Sequence, residues 1–336
     1  MQRAVVRLPW TGFSLERRRL FATIAVAVLA STLAVPALAD KWPTRPVHLV
    51  VPFPPGGSTD VVSRIVADRL SQMWGEQVVV DNKPGAGTNL AAEMVARSEP
   101  DGYTIFMGTT SLTTSRFVYR ELHYELSDLA PVSLVCTFPL LVMAPPNSPV
   151  KTIAELVAFA RERKDKVTFA SPGVGTIPHL AGELLNQLAN IEMTHVPYRG
   201  DAPALTDTIA GRVDFWFGGS AMIEYVRGGQ LRGIAITTAA PSPIVPELPT
   251  VAETVPGYDV SAWFALFAPA RTPHAIVAKI TGDTAKVVRM PEVEARFKQI
   301  GVVGVGSTPE ALGALVAKDL AKWGKVIKER HVVMEQ

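Results

Sequence analysis

"VSLVCTFPLLVMAPPNSP", residues 132–149, is a long extended run with no helix-period segment inside it, and it divides the chain. Before it, short apolar runs alternate with amphipathic segments. "VHLVVPF" (47–53) leads into helical spacing from about Thr59, "QVVVDN" (77–82) into a helix across Leu90–Ala96, and "YTIFMGT" (103–109) follows. Near-continuous apolar runs predict parallel strands covered on both faces, and strand–helix–strand order predicts an α/β fold. After the divide a second series begins: helix 153–160, strand "VTFAS" (167–171), helix 180–188, strand "MTHVPY" (193–198) and helix 204–209. Strands "VDFWFGG" (213–219) and "LRGIAITT" (231–238) complete it. A second helix-free run, "VSAWFALFAP" (260–269), brings the chain back, and two helices follow, near 276–288 and 312–327. Long β runs flanking a complete α/β unit predict two lobes joined by two extended hinge crossovers. Lobe one takes 40–141 plus 262–336, and lobe two takes 142–261.

The first residues are set aside from the fold. Arg17, Arg18 and Arg19 precede an apolar stretch from Leu20 to about Pro36, and Ala37-Leu38-Ala39 offers a small-x-small cleavage site before Asp40. That order is a secretory signal peptide over 1–39, and the apolar stretch is shorter than a membrane span needs. The leader holds five arginines and one acid, so the formal charge of +2 for the whole chain becomes −2 for the remaining 297 residues. A near-neutral chain has no bulk charge suited to nucleic acid. The lone Cys136 cannot form an internal disulfide and reads as a small buried hydrophobe. Export without disulfides points to a bacterial periplasm.

"VPFPPGGSTD" (51–60) ends the first strand in prolines, glycines and small polar residues. Gly56 and Gly57 let the backbone approach a ligand, Ser58 or Thr59 caps the next helix, and its first turn leaves N–H groups and a partial positive charge. Such a joint suits a carboxylate held without a cation, although an ordinary strand–turn–helix connection has the same spelling. The pattern recurs at "GTTS" (108–111), "SPGVGT" (171–176), "YRGDAPA" (198–204) and "FGGS" (217–220), each at a strand end. In open α/β sheets ligands bind outside the carboxyl ends of strands. Asp60 reads either as a brace for its loop or as a ligand contact, and Arg199 either as a solvated charge or as a carboxylate clamp. Tyr198 and Phe53 could wall a pocket, while Trp216 and Trp263 read as core or hinge packing.

Other chemistries lack their residues. Gly85-Ala86-Gly87 and Gly173-Val174-Gly175 begin a dinucleotide fingerprint, but Leu90 and Pro178 stand where its third glycine belongs. No phosphate-binding GxxxxGK[ST] or nucleophile GxSxG occurs, and six scattered histidines give no metal-ligand spacing. The expectation is therefore no catalytic residues, no metal and no cofactor.

Taken in order, "PFPPGGSTD" (52–60), "VVVDNKPGAGTNLAAEMVARSEPDGYT" (78–104), "FASPGVGTIPHLAGELL" (169–185) and "HVPYRGDAPALTDTIAGRVD" (195–214) resemble the Bug family. These are the TctC-like substrate-binding proteins of tripartite tricarboxylate transporters. The resemblance implies a type II periplasmic-binding-protein fold that captures a small organic acid between lobes for delivery to the transporter's membrane components. It also implies a monomer with no nucleic-acid partner. Carried onto this chain, the ligand-binding set is Phe53, Pro55, Gly56, Gly57, Ser58 and Asp60 on one loop and Ser171, Gly173, Gly175 and Thr176 on the opposing one. Thr109, Ser111, Tyr198 and Gly200 lie nearby. Ala265 and Arg271 stand where the family pattern would have glycines. A ligand-sensing module for a membrane sensor kinase and a periplasmic α/β enzyme are the competing readings. Which acid is bound does not follow from the sequence.

Overall fold

The computed structural model describes residues 42–163 and 166–332; the signal peptide read over 1–39 lies outside the described residues. The first α/β group comprises β1 (Val47–Val51), α1 (Ser58–Trp74), β2 (Val78–Asn82), α2 (Asn89–Ala96) and β3 (Thr104–Thr109). Strand β4 (Leu129–Ala144) leads to a second group: α3 (Ile153–Arg163), β5 (Thr168–Ser171), α4 (Ile177–Ala189), β6 (Thr194–Pro197), α5 (Asp201–Ile209), β7 (Phe215–Gly219) and β8 (Arg232–Ile236). The return is β9 (Ser261–Pro269), followed by α6 (His274–Val287), α7 (Pro291–Gln299), β10 (Val303–Gly304) and α8 (Pro309–Arg330).

Strand β1 pairs in parallel with β2 and β3, and β5 pairs in parallel with β6 and β7. Two long antiparallel strands lie between these groups, giving the order β2-β1-β3-β9-β4-β7-β5-β6. The sixteen-residue β4 changes partner along its length. Leu129 to Pro139 pair with β9, and Leu140 to Ala144 pair with β7 and β8. Its partner exchange explains why residues 132–149 read as one uninterrupted extended run. The inner parallel strands are buried as continuous runs, such as Leu49–Val51 and Ile105–Met107, whereas the edge strands β2 and β6 are only partly covered.

Cys136, Trp216 and Trp263 are buried, as the sequence predicts. Burial also pushes the Cys136 thiol far above its ordinary range, so it is held as the neutral thiol. Ala265 lies opposite Gly108 in the β3–β9 ladder, beside a residue with no side chain.

Several elements differ from the sequence reading, the short strand β10 among them. Three helices, not two, follow β9. The additional α7 buries only Val293 and Phe297, one i,i+4 pair, so its apolar stripe is too thin to register in "PEVEARFKQ". Helix α5 begins at Asp201 rather than Ala204. Pro203 sits in its first turn, where a missing N–H breaks no helical bond.

Candidate functional site

The loop from β1 to α1 is built around a buried acid. Asp60 Oδ2 accepts the Gly56 N–H at 3.0 Å and the Arg64 Nε–H at 2.9 Å. Oδ1 accepts from Arg64 Nη2 at 2.9 Å and from Asn82 Nδ2 at 3.0 Å, and that amide also donates to the Phe53 carbonyl at 2.8 Å. Burial by itself would raise the Asp60 pKa, but the bonds from Arg64, Gly56 and Asn82 outweigh it and hold the carboxyl below its ordinary value of 3.8. Gly56 takes φ +88°, a left-handed conformation open to glycine at little cost, and Gly57 forms the N-cap with no side-chain bond to help it.

The loop from β5 to α4 has the same outline but neutral supports. Ser171 Oγ pairs with His195 Nε2 at 2.7 Å and accepts the Gly173 N–H at 3.2 Å. Thr176 Oγ donates to the Gly173 carbonyl at 2.7 Å, and the Gly175 N–H donates to His179 Nδ1 at 3.1 Å. His179 and His195 stack with their centroids 3.7 Å apart. Burial lowers the pKa of His179 to about 4, and burial together with the neighbouring His179 lowers that of His195 to about 2. Both rings are therefore neutral, which the acceptor role of His179 Nδ1 requires. Because β5 and β6 pair with Phe169 opposite His195, two histidines sixteen positions apart meet under one loop. Sequence spacing alone showed them as scattered.

The glycine loops approach one another closely. Gly200 takes φ +116°, and a Cβ there would lie 2.9 Å from Pro54. Thr114 Oγ donates to the Gly175 carbonyl at 2.6 Å, tying the segment after β3 to the β5–α4 loop. Asp201, the first residue of α5, reaches the first turn of α1, where its Oδ2 accepts the Ser58 N–H at 3.1 Å.

Two adjacent spaces lie between these loops. The inner one, about 50 Å³, is lined by Phe53, Ser58, Thr59, Thr109, Thr110, Ser111, Thr176 and Asp201, with apolar walls from Phe138, Leu140, Ile177, Trp263 and Phe264. That space is ample for one water and admits a group of carboxylate size. The outer one, about 430 Å³, shares Phe53 and Pro172 with it and is bounded by Pro54, Gly85 to Thr88, Gly173, Tyr198 and Arg199. Among the described residues, Arg199 is the one charged group on its lining.

Of the residues named from sequence, Phe53, Ser58, Thr109, Ser111 and Thr176 meet on the inner wall, and Phe53, Gly173 and Tyr198 meet on the outer wall. Pro55, Gly56, Gly57, Asp60, Ser171, Gly175 and Gly200 line neither space. They shape or brace the loops that do. Thr59, Thr110, Trp263 and Asp201 line the inner space without having been named as ligand contacts. Thr110 could have been found, since it continues the hydroxyl run of "GTTS". Asp201 could not, because its approach to Ser58 spans 143 positions and leaves no local signal.

One expectation needs correcting. The main-chain donors of the loops are largely engaged inside the protein: Gly56 by Asp60, Ser58 by Asp201, Gly173 by Ser171, Gly175 by His179, and Gly200 by the Pro172 carbonyl at 3.2 Å. Glycine turns stabilise themselves by such bonds, since a buried unpaired N–H is costly. What faces the inner space is a set of hydroxyls, the Asp201 carboxylate and the first turns of α1 and α4 at Thr59 and Ile177, against apolar walls.

Residues 62–332 match the model of the tripartite tricarboxylate transporter family receptor. Three solved structures are similar over their whole lengths. Rpa4515 of R. palustris, solved with adipate, is 36% identical with a TM-score of 0.85, covering 87% of this chain and 100% of its own. The periplasmic binding protein BugD is 32% identical with a TM-score of 0.83, again over 87% and 100%. MatC from Rhodopseudomonas palustris, with bound malate, is 31% identical with a TM-score of 0.81, over 85% and 100%.

Proposed function

Because the chain belongs to the tripartite tricarboxylate transporter receptor family, we propose that it is a periplasmic receptor capturing a small dicarboxylic acid between two lobes. The lobes are 40–141 plus 262–336 and 142–261, joined where β4 changes partner and where the chain enters β9. The observation that carries this reading is the pair of adjacent spaces: one of about 50 Å³, where hydroxyls and Asp201 meet a largely apolar wall, and one of about 430 Å³ with one cation on its wall. A carboxylate fits the inner end, a short carbon chain lies against Phe53 and Pro172, and a second carboxylate meets Arg199. Adipate and malate, held by two of the similar proteins, have this two-ended form.

Cleavage of residues 1–39 would release the protein into the periplasm, where it acts as a monomer and hands its ligand to the transporter's membrane components. Uncharged donors suit that task, since a receptor must release what it binds. Micromolar affinity corresponds to about −8 kcal/mol, within reach of several hydrogen bonds and modest burial. Closing the lobes would exclude water and strengthen those bonds.

The test is a thermal-shift screen of the purified chain with succinate, glutarate, adipate and malate beside neutral diols of matching length. A ligand at 100 times its dissociation constant stabilises by about 2.7 kcal/mol. Stabilisation by at least one diacid and by no diol is expected. Equal responses to diacids and diols would defeat the reading.

A further inference from the structure

Asp201 is the one charged side chain among the residues lining the inner cavity. Its Oδ2 accepts the Ser58 N–H, but its Oδ1 is buried with no hydrogen-bond partner among the described residues. Ser58 Oγ is equally buried and lies beside the same carboxylate, where its hydroxyl favours the ionised form. A Cβ on Gly57 would sit 3.4 Å from this carboxylate and one on Gly219 3.8 Å, so backbone closes round it and no cation does. The nearby charges are all engaged or turned away. On α1, Asp60 and Arg64 bind each other, and Arg199 lines the outer groove. On α5, Asp207 is held by Tyr198 and Arg212, while His179 and His195 are occupied by Gly175 and Ser171. The β7 and β9 segments at the cavity present only uncharged residues.

A helix N-terminus ordinarily receives an anion from outside. Here the chain supplies one itself. A ligand carboxylate entering the same small space meets a like charge at close range, and paired carboxylates so placed do not both stay ionised. We propose that the inner cavity takes up a carboxylate together with one solvent proton, carried by Asp201. The Asp201 carboxyl holds that proton and shares it with the incoming carboxylate, while Oδ2 keeps the Ser58 N–H. Burial, opposed only by the contacts with Ser58, already raises the Asp201 pKa above its ordinary value of 3.8, the direction such a role needs.

This inference rests on the receptor reading above, and one experiment separates the two. Succinate, glutarate and adipate are titrated calorimetrically into the purified chain between pH 7 and 8, in buffers of different ionisation enthalpy. Their own carboxyls stay ionised throughout that range. The wild type is expected to absorb up to one proton per ligand, with affinity rising up to about tenfold per unit fall in pH. Asp201→Asn keeps an acceptor for Ser58 and a donor for the ligand, so it should bind without proton uptake and with a flat pH profile. Asp201→Ser gives a second neutral variant should the first fold poorly, and the wild-type proton count needs no variant. Binding without proton uptake by the wild type overturns the inference and leaves the receptor reading standing. Uptake that persists in both variants overturns the assignment to Asp201. Failure of every diacid to bind either protein overturns the receptor reading and the inference with it.

Discussion

The β1–α1 and β5–α4 turns are spelled alike, as proline, glycines and small hydroxyls between an apolar strand and an amphipathic helix, yet they are held by opposite means. Charge holds the first: Asp60 ties Gly56, Arg64 and Asn82 into one brace. Two stacked neutral histidines hold the second, through Ser171 and the Gly175 N–H. A strand–turn–helix joint thus fixes the path of the backbone but not the groups that stiffen it. Those come from whichever neighbour the sheet brings alongside: edge strand β2 for the first turn, β6 and α4 for the second.

The largest expected effect comes from removing the ionic brace. Asp60→Ala deletes four hydrogen bonds at a buried position and leaves the turn held only by the bond from Asn82 to the Phe53 carbonyl, costing about 3 kcal/mol. Arg64 is half exposed, so its charge returns to water and the loss stays below that of a fully buried pair. Urea unfolding at neutral pH measures it, and a cost under about 1 kcal/mol would show that the brace is not what holds the turn. Next is Gly175→Ala. It meets φ +74° and a Val118 methyl at 2.9 Å, so strain and clash add to about 2–3 kcal/mol.

Acid should separate the two turns by pH window. The histidine pKa values are lowered in the fold, so unfolded chains bind more protons below the ordinary value of 6.5, and stability falls as the pH drops from there through about 4. Asp60 also has a lowered pKa, but its contribution is present above 3.8 and fades only below that. Urea unfolding at pH 7, 5.5 and 4.5 should therefore show stability declining by about 2 kcal/mol for each of the two histidines, and His179→Gln should reduce the decline. An unchanged slope in that variant would mean that the stacked pair does not govern this range.

How much of this could be read in advance follows the range of the interactions. The α/β class, the extended crossovers and the loop positions are set by local periodicity and by glycine and proline, and "VSLVCTFPLLVMA" carries its partner exchange in its length. Thr109, Ser111 and Thr176 are legible for the same reason, as hydroxyls at strand ends. The groups that stiffen the loops are not. Asp60 with Asn82, His179 with His195 and Asp201 with Ser58 meet only through strand order and close approach of the glycine loops, across 22, 16 and 143 positions. No single-segment pattern records such pairings. Helix α7 was missed on other grounds, its apolar stripe being two residues wide.

The smallest effect sharpens the contrast most. Gly56 and Gly175 share a left-handed φ, +88° and +74°, but nothing lies within 4 Å of a Cβ at Gly56. Gly56→Ala therefore suffers only the backbone strain of an L-residue in that region, offset in part by lower entropy in the unfolded chain, for a net cost of about 1 kcal/mol. Its N–H keeps the bond to Asp60, so the brace survives and the acid profile should match that of the parent. If Gly56→Ala cost as much as Gly175→Ala, packing would be governing both turns alike. The division between a charge-braced turn in open surroundings and a neutral turn in crowded ones would then not hold.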